Sequence, residues 1–453
     1  MSEARSSHAG RRGWWAVCLA AALVGSALFV LPAGGATKEA ATSTTCADPS
    51  GSVNVGLSYF GNLEQQLEGI NEEQAALTPA AQAIIDNYKA GIAALNAEGG
   101  LAGCQVKPVI HNFPAQSQDF NQTTSTECAA FTQDAKVVAV FTAAYETRVA
   151  LDCFAKAKTP LFQMGGVYAP TCADYEKYAG YLYSPDGLAS CRYSNFVPLW
   201  DKAGLFPKGA KVGIVVFDDG SGQGKFIADK VYTPALKKIG VPTTSFSFPG
   251  VLNTVSGGDA SQVAIKNGVL KFKAEGVNVV LFTPSGSQAS SFFIPPAAAQ
   301  GFFPSYGLAS FDGLNIVQAV GSDTLKKAVA VSWLFSNLPL SDQQALPTNS
   351  AVEKCAAWSQ PSQTTLTGSS TYCDFLNILQ AAFKGQKDTS PASLKKGIEA
   401  LGTSFTSSMT YDGATKFGAG DYDGVTVGQV LVWDPTTKTF VYAKKGQKAV
   451  TIP

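Results

Sequence analysis

His8 and His111 are the only histidines in 453 residues, so His-based metal sites and Ser-His nucleophile pairs have almost no material to draw on. No Gly-x-Ser-x-Gly elbow occurs either, which makes a secreted hydrolase a poor reading of the chain. Asp218 and Asp219 are adjacent carboxylates of the kind that acid–base chemistry uses, but neighbours at a strand end point apart. Asp219 to Lys225 (Asp-Gly-Ser-Gly-Gln-Gly-Lys) imitates a phosphate loop. That pattern needs Gly at position 219 and Ser or Thr at Phe226, so the run reads as a loop entering a helix. Asp412, Asp421 and Asp423 share a Gly-rich stretch whose spacing does not fit an EF-hand, and they read as a solvated turn. With no CxxC pair for zinc, neither metal nor cofactor is expected.

Binding groups are a different matter. Beyond the first 36 residues the only arginines are Arg148 and Arg192. An arginine fork suits a carboxylate ligand, and Arg148 falls one turn into a predicted helix, with pairing to Glu146 or Asp152 as the alternative. Arg192 adjoins Cys191. Tyr145 and Tyr168 lie near predicted strand ends, where a tyrosine either stacks on an apolar or aromatic solute or joins the core. Asp312 is either a ligand contact or a cap ahead of Gly313-Leu314.

The elements that must position these groups follow from the rest of the chain. There are 34 basic and 34 acidic side chains, only 15% of residues are charged, and 45% are hydrophobic. No basic excess exists to collect phosphates, which excludes nucleic acid as a partner. A single core rarely grows beyond about 250–300 residues, so two lobes are expected. Residues 1–36 read as a signal peptide: Arg5, Arg11 and Arg12, then an apolar run from Trp14 to Leu31, then Gly34, Gly35 and Ala36. The run approaches the length of a membrane span, so cleavage and retention as an anchor both stay open. Residues 37–52 form a flexible leader. Without the first 36 residues the net charge becomes −2, and no later apolar run reaches membrane length.

Setting aside Cys18 within the export segment leaves eight cysteines, an even number that favours disulfides in an exported protein. Eight cysteines allow 105 pairings. Their spacing suggests the nearest neighbours: Cys46–Cys104, Cys128–Cys153, Cys172–Cys191 and Cys355–Cys373.

Strands and helices alternate through most of the chain, as a parallel doubly wound sheet requires. Strands are predicted at 53–57, 106–110, 137–141 and 160–163, with helices over 79–95, 120–134 and 145–157 between them. The polar stretch 62–74 is expected to be a surface loop or a short helix. A second series follows: helices at 188–203, 225–239, 260–275 and 289–300, and strands at 212–217, 243–248, 277–282, 306–309 and 328–333. Helices near 351–359, 372–384 and 393–401 and a hairpin across Asp434–Thr437 complete the chain. The boundaries place lobe 1 at 53–183 and 338–424, and lobe 2 at 184–337 and 425–453.

Tyr88-Lys89-Ala90-Gly91-Ile92 through Asn96-Ala97-Glu98-Gly99-Gly100-Leu101-Ala102-Gly103 resembles the opening of leucine/isoleucine/valine-type solute-binding proteins. Lys211 to Gly224, Asp259 to Val280 and Phe303 to Gly313 resemble later units of that family, in order, within a span of roughly 53–445. The resemblance implies an α/β fold of the periplasmic binding protein type I: two Rossmann-like lobes with parallel doubly wound sheets, joined by a multi-crossover hinge. Ligands of such sheets bind beyond the strand carboxyl ends. The resemblance therefore implies a site built from Thr142, Ala143, Ala144 and Tyr145, from Gly166, Val167 and Tyr168, and from Asp219, Ser221, Ser285 and Asp312, with Arg148 nearby. Amino-acid-binding members carry Ser and Thr where this chain has Ala143 or Ala144 and Tyr168, and an aromatic residue where it has Gly220 or Ser221. The acidic position is kept in type by Asp312. Half of the amino-acid signature is thus present, which reads against a branched-chain amino acid.

The function implied is capture of a small organic solute, of the amino acid, amide or aromatic acid class, by an exported monomer that is not an enzyme and serves the membrane permease of an ABC importer. Its place is periplasmic, on the cell surface or secreted. A ligand-sensing ectodomain of the same fold is the alternative.

Overall fold

The computed structural model describes residues 51–59, 79–113, 120–142, 148–163, 169–218, 220–250, 255–285, 288–321, 324–334, 350–358, 366–410, 413–443 and 450–452. Residues 44–453 form one compact unit, while residues 1–43 lie outside the described set. Cys46, residues 37–50 of the leader and the 62–74 stretch also fall outside it, and the leader's expected last residue, Ser52, already belongs to the first strand.

The first sheet has five parallel strands in the order β2-β1-β3-β4-β5. They are β1 (Ser52–Tyr59), β2 (Gln105–Asn112), β3 (Ala139–Thr142), β4 (Leu161–Gln163) and β5 (Leu182–Tyr183). Helices α1 (Pro79–Ala97), α2 (Phe120–Ala129), α3 (Arg148–Lys156) and α4 (Cys172–Lys177) connect them. A π turn, Ala130–Asp134, extends α2 and buries Phe131. Gly56 lets that ring lie flat on the sheet, because a Cβ there would come within 2.9 Å of Phe131. Helices α11 (Ser350–Trp358), α12 (Leu366–Phe383) and α13 (Pro391–Leu401) return late in the chain. They complete the core of this sheet, in which Phe141 and Phe162 pack against Phe375.

The second sheet runs β12-β11-β10-β9-β8-β6-β7. Strands β6 (Val212–Asp218), β7 (Thr243–Pro249), β8 (Val279–Phe282), β9 (Ser305–Ala309) and β10 (Val329–Ser332) are parallel. The antiparallel hairpin β11 (Val427–Asp434) and β12 (Thr439–Tyr442) lies beside β10, and β13 (Val450–Thr451) pairs with β11. The intervening helices are α5 (Phe196–Lys202), α6 (Gln223–Phe226), α7 (Thr233–Lys238), α8 (Val255–Ala274), α9 (Gln288–Ala299) and α10 (Leu314–Gly321).

Several expectations needed adjustment. The helix expected from Leu188 begins at Phe196, after a 3-10 segment Ser190–Asn195, because Ser184-Pro185-Asp186-Gly187 holds an open, non-helical crossing. The helix expected over 225–239 is broken into α6 and α7 by a π turn, Ile227–Tyr232. Four short elements carried too few residues to show a period: α4, β5, α10 and β13.

Three described bridges join sequence neighbours: Cys128–Cys153, Cys172–Cys191 and Cys355–Cys373, with Cα separations of 6.4, 5.9 and 5.6 Å. Cys104 is also disulfide-bonded, and Cys46 lies outside the described residues. Loops of this length give about 3 kcal/mol each in the loop-entropy model of disulfide stabilisation.

Candidate functional site

The carboxyl ends of the two sheets are brought together by the chain itself. It leaves β5 at Ser184 and enters the second lobe at the Ser190–Asn195 turn, then returns to the first after β10. Its last crossing, near Asp423, lies against the first. Ser184 N–H donates to the Tyr422 carbonyl (3.0 Å), and Val425 N–H donates to the Gly187 carbonyl (3.1 Å). Gly424 sits at φ +65°, where a Cβ would come within 2.5 Å of the Pro185 carbonyl oxygen, so only glycine lets these backbones approach. Trp333 Nε1 donates to the Asp186 carbonyl at 2.9 Å and ties the second crossing to the first.

Arg192 locks this junction. Its Nη1 donates to both oxygens of Asp423 at 2.9 Å, and its Nη2 donates to the Ile452 carbonyl at 2.6 Å. Asp423 Oδ2 also accepts from Ala189 N–H at 2.6 Å. Burial pushes the Asp423 carboxyl up to about 6 even though Arg192 opposes the shift. Asp423 is therefore a buried hinge anchor, which corrects its reading as part of a solvated turn; Asp412 lies outside the described residues. The Cys172–Cys191 bridge joins α4 to the Ser190–Asn195 turn and spans the same crossing.

Beyond the hinge, the loops that follow β4 and β6 meet. Gln223 Oε1 accepts from Ala169 N–H at 3.0 Å, and its Nε2 donates to the Ala169 carbonyl, with both residues buried. This paired amide contact ties the segment after β4 to the start of α6.

On the first lobe, register places Ser58 beside Thr142, and Thr142 beside Gln163. In-register neighbours on parallel strands share a face, so β1, β3 and β4 end in a polar row on the face that packs against Phe131. All three side chains are at most 2% exposed. Ser58 Oγ and Thr142 Oγ1 have no hydrogen-bond partner among the described residues, and an unsatisfied buried hydroxyl costs about 1–3 kcal/mol. His111 continues the row on β2 and is engaged with Glu127 at 3.3 Å.

The second lobe uses its polar ends differently. Thr283 Oγ1 accepts from Phe217 N–H at 2.9 Å, and Ser285 Oγ accepts from Ala289 N–H at 2.8 Å near the start of α9. Ser310 Oγ accepts from Trp333 N–H at 2.9 Å, and Ser221 Oγ accepts from Gln223 N–H at 3.1 Å. Asp312 is 1% exposed and its Oδ2 accepts from Ala309 N–H at 2.8 Å, the capping geometry. Its Oδ1 has no partner, nor does the buried Tyr232 hydroxyl, and burial holds the Asp312 carboxyl well above the usual range.

Of the expected site residues, Thr142 sits in the first-lobe row, and Ser221, Ser285 and Asp312 lie at second-lobe strand ends. Ala143, Ala144, Tyr145, Gly166, Val167, Tyr168 and Asp219 lie outside the described residues. Arg148 pairs with Asp174 at 3.0 Å, while Asp152 is held by Lys177 at 2.8 Å and Glu146 lies outside the described residues. Asp174 lies on α4, which the periodicity did not reveal, so this partner had no signal. Ser58, Gln163 and Gln223 were also missed. The usable signal for the first two is a polar residue closing an otherwise apolar strand. A cavity of about 940 Å³ elsewhere on the first lobe is lined by Glu98, Lys354 and Gln380. Those groups pair with one another, Lys354 to Glu98 at 3.2 Å and Gln380 to Glu98 at 3.0 Å.

The sequence matches no protein-family model and no curated protein. Solved structures do match. The branched-chain amino acid transporter substrate-binding protein LivJ from Streptococcus pneumoniae, in complex with isoleucine, aligns at 15% identity and TM-score 0.58, covering 88% of this chain and 99% of that one. The fold is that of a type I periplasmic binding protein. The leucine-binding protein LivK from Thermotoga maritima shares this type I fold at 9% identity and TM-score 0.61, over 88% of this chain and 98% of its own. The fatty acid ABC transporter substrate-binding protein from Thermomonospora curvata does so at 13% identity and TM-score 0.57, over 86% and 91%.

Proposed function

We propose that this type I protein is exported and captures a small organic solute between its lobes, delivering it to the membrane permease of an ABC importer as a monomer. The supporting observation is the buried row at the first-lobe strand ends, where Ser58 Oγ and Thr142 Oγ1 have no partner among the described residues. Two hydroxyls side by side can both donate to one carboxylate or amide oxygen, and a bound solute would satisfy them. Leucine, isoleucine and fatty acid, named for similar structures, share a carboxyl group on an apolar body. An amino acid, an amide or an aromatic acid fits the same description.

The mechanism follows from the hinge. Ser58 and Thr142 belong to one lobe and Asp312 to the other, so a solute touching both makes its full set of contacts only when the cleft is closed. Binding then shifts the open–closed population toward the closed form. Gln223 and Ala169 add a contact between the start of α6 and the segment after β4. Among the described residues no helix is long and apolar enough to cross a membrane.

Mass spectrometry of the small molecule that copurifies, followed by calorimetry with that molecule, tests the proposal. The expected result is one-to-one binding with the solute recovered unchanged. Recovery of a chemically altered product would replace capture with catalysis.

A further inference from the structure

The two lobes carry opposite charge. Residues 184–337 and 425–453 hold 17 basic and 10 acidic side chains, whereas residues 53–183 and 338–424 hold 13 basic and 21 acidic. The second-lobe excess is concentrated at one pole. In a parallel sheet each helix ends beside the amino end of the next strand, so the turns before β6, β7, β8, β9 and β10 gather at the edge away from the cleft. The β11–β12 turn joins them, because β11 runs antiparallel to β10 with Val329 opposite Val432.

Lysines crowd this edge. Lys202 closes α5, and Lys208 and Lys211 precede β6. Lys237 and Lys238 close α7 ahead of β7, and Lys271 and Lys273 lie in the last turn of α8. Lys326 and Lys327 precede β10, and Lys438 lies in the hairpin turn. Against these ten stand Asp201, Glu275 and Asp434 among the described residues, with Asp323 nearby in the sequence. Two large apolar side chains project from the same turns: Phe303 is 64% exposed and Ile239 is 40% exposed.

Helix-end lysines are ordinary partners of the helix dipole, and the first lobe provides the control. Its corresponding turns and helix ends carry Lys136, Lys156, Lys158, Lys177, Lys384 and Lys387 against Glu98, Asp134, Glu176 and Asp388, a smaller excess than the second-lobe pole shows. Among the described residues, none of the large exposed apolar side chains lies there. Dipole complementation therefore does not account for the second-lobe excess.

We propose that this pole of the second lobe is a docking surface for an anionic lipid bilayer. Protein interfaces are depleted in lysine, especially toward their centres, and this pole gathers ten lysines. Phe303 and Ile239 stand on separate turns with lysines around them and do not form a continuous apolar core. Single apolar tips within a lysine field suit shallow insertion at a headgroup layer. The acidic lobe is repelled by the same surface, which orients the molecule with the second lobe against the membrane. Each lysine brought near an anionic leaflet adds roughly fivefold to partitioning, and the gain vanishes beyond a Debye length.

Flotation of the full chain with phosphatidylglycerol/phosphatidylcholine vesicles, against phosphatidylcholine alone, tests the proposal. The expected result is at least tenfold more bound protein on the anionic vesicles, an increment lost in high salt. The triple variant Lys237→Glu, Lys238→Glu, Lys273→Glu should remove the increment, and Phe303→Ser should lower it severalfold. The parent and both variants share residues 1–36, so any binding by that segment cancels in the comparison. A triple reversal at Lys136, Lys156 and Lys158 should leave the increment in place. Equal partitioning on both vesicle types, or equal loss from the two triple variants, would overturn the proposal. So would sedimentation showing that the second-lobe lysines support only association with a second copy, whose acidic lobe would then be the partner.

Discussion

The carboxyl strand edges of the two lobes spend their hydroxyls in opposite ways. On the second lobe, Thr283, Ser285 and Ser310 each accept a backbone N–H, so their oxygens hold the lobe's own turns in place. On the first lobe, Ser58 and Thr142 are equally buried and their side chains hold nothing. The second-lobe hydroxyls are used by their own chain, whereas the first-lobe hydroxyls, together with Asp312 Oδ1 across the cleft, are left for something to complete. Stability and affinity should therefore separate by lobe when these residues are changed.

The junction gives the largest expected effect. Asp423→Ala leaves Arg192 with only the Ile452 carbonyl of the contacts described above and orphans the Ala189 N–H. A loss of about 3 kcal/mol in urea unfolding is expected, since removing one member of a buried pair strands the other. A loss below about 1 kcal/mol would mean that the crossings are held by their backbone contacts alone.

Asp374 probes the first-lobe scaffold behind the hinge. It accepts from the hydroxyls of Ser407 and Ser408 and from the Ser408 N–H, and burial pushes its carboxyl up to about 6. A raised acid pKa means that the folded state holds its proton more tightly than the unfolded state. Stability should thus be greatest below about pH 4 and decline as pH rises toward 6, by about 2–3 kcal/mol from this group. Asp374→Asn should remove that part of the slope in unfolding measured across pH 4 to 7; an unchanged slope would assign it to other groups.

Thr283→Val should cost about 1–3 kcal/mol because the buried Phe217 N–H loses its acceptor, with solute affinity measured by calorimetry unchanged within twofold. Thr142→Val should do the reverse. Stability should stay within about 0.5 kcal/mol of the parent because no partner is lost, while affinity for the copurified solute falls about tenfold, equivalent to 1.4 kcal/mol. If Thr142→Val unfolds the protein and leaves affinity intact, the contrast between the two edges is wrong.

The alternation of strand and helix was legible because buried parallel strands read as short apolar runs such as Val53–Leu57 and Val212–Phe217. The hairpin across Asp434–Thr437 was legible from its turn residues. The partners of polar side chains were not. Arg148 finds Asp174 on a helix of six residues, and Arg192 finds Asp423, which is 231 residues away. Local spacing carries no information about either.

The sequence by itself determined the α/β class and the scarcity of histidine, and it suggested nearest-neighbour cysteine pairs, three of which the structure joins. Each of these follows from composition or from periods of a few residues. Tertiary structure alone decided which charges are consumed by the hinge, which hydroxyls are left over at the cleft and where the lysines of the second lobe converge. Those outcomes depend on strand order and register, which bring residues far apart in the chain to a common edge.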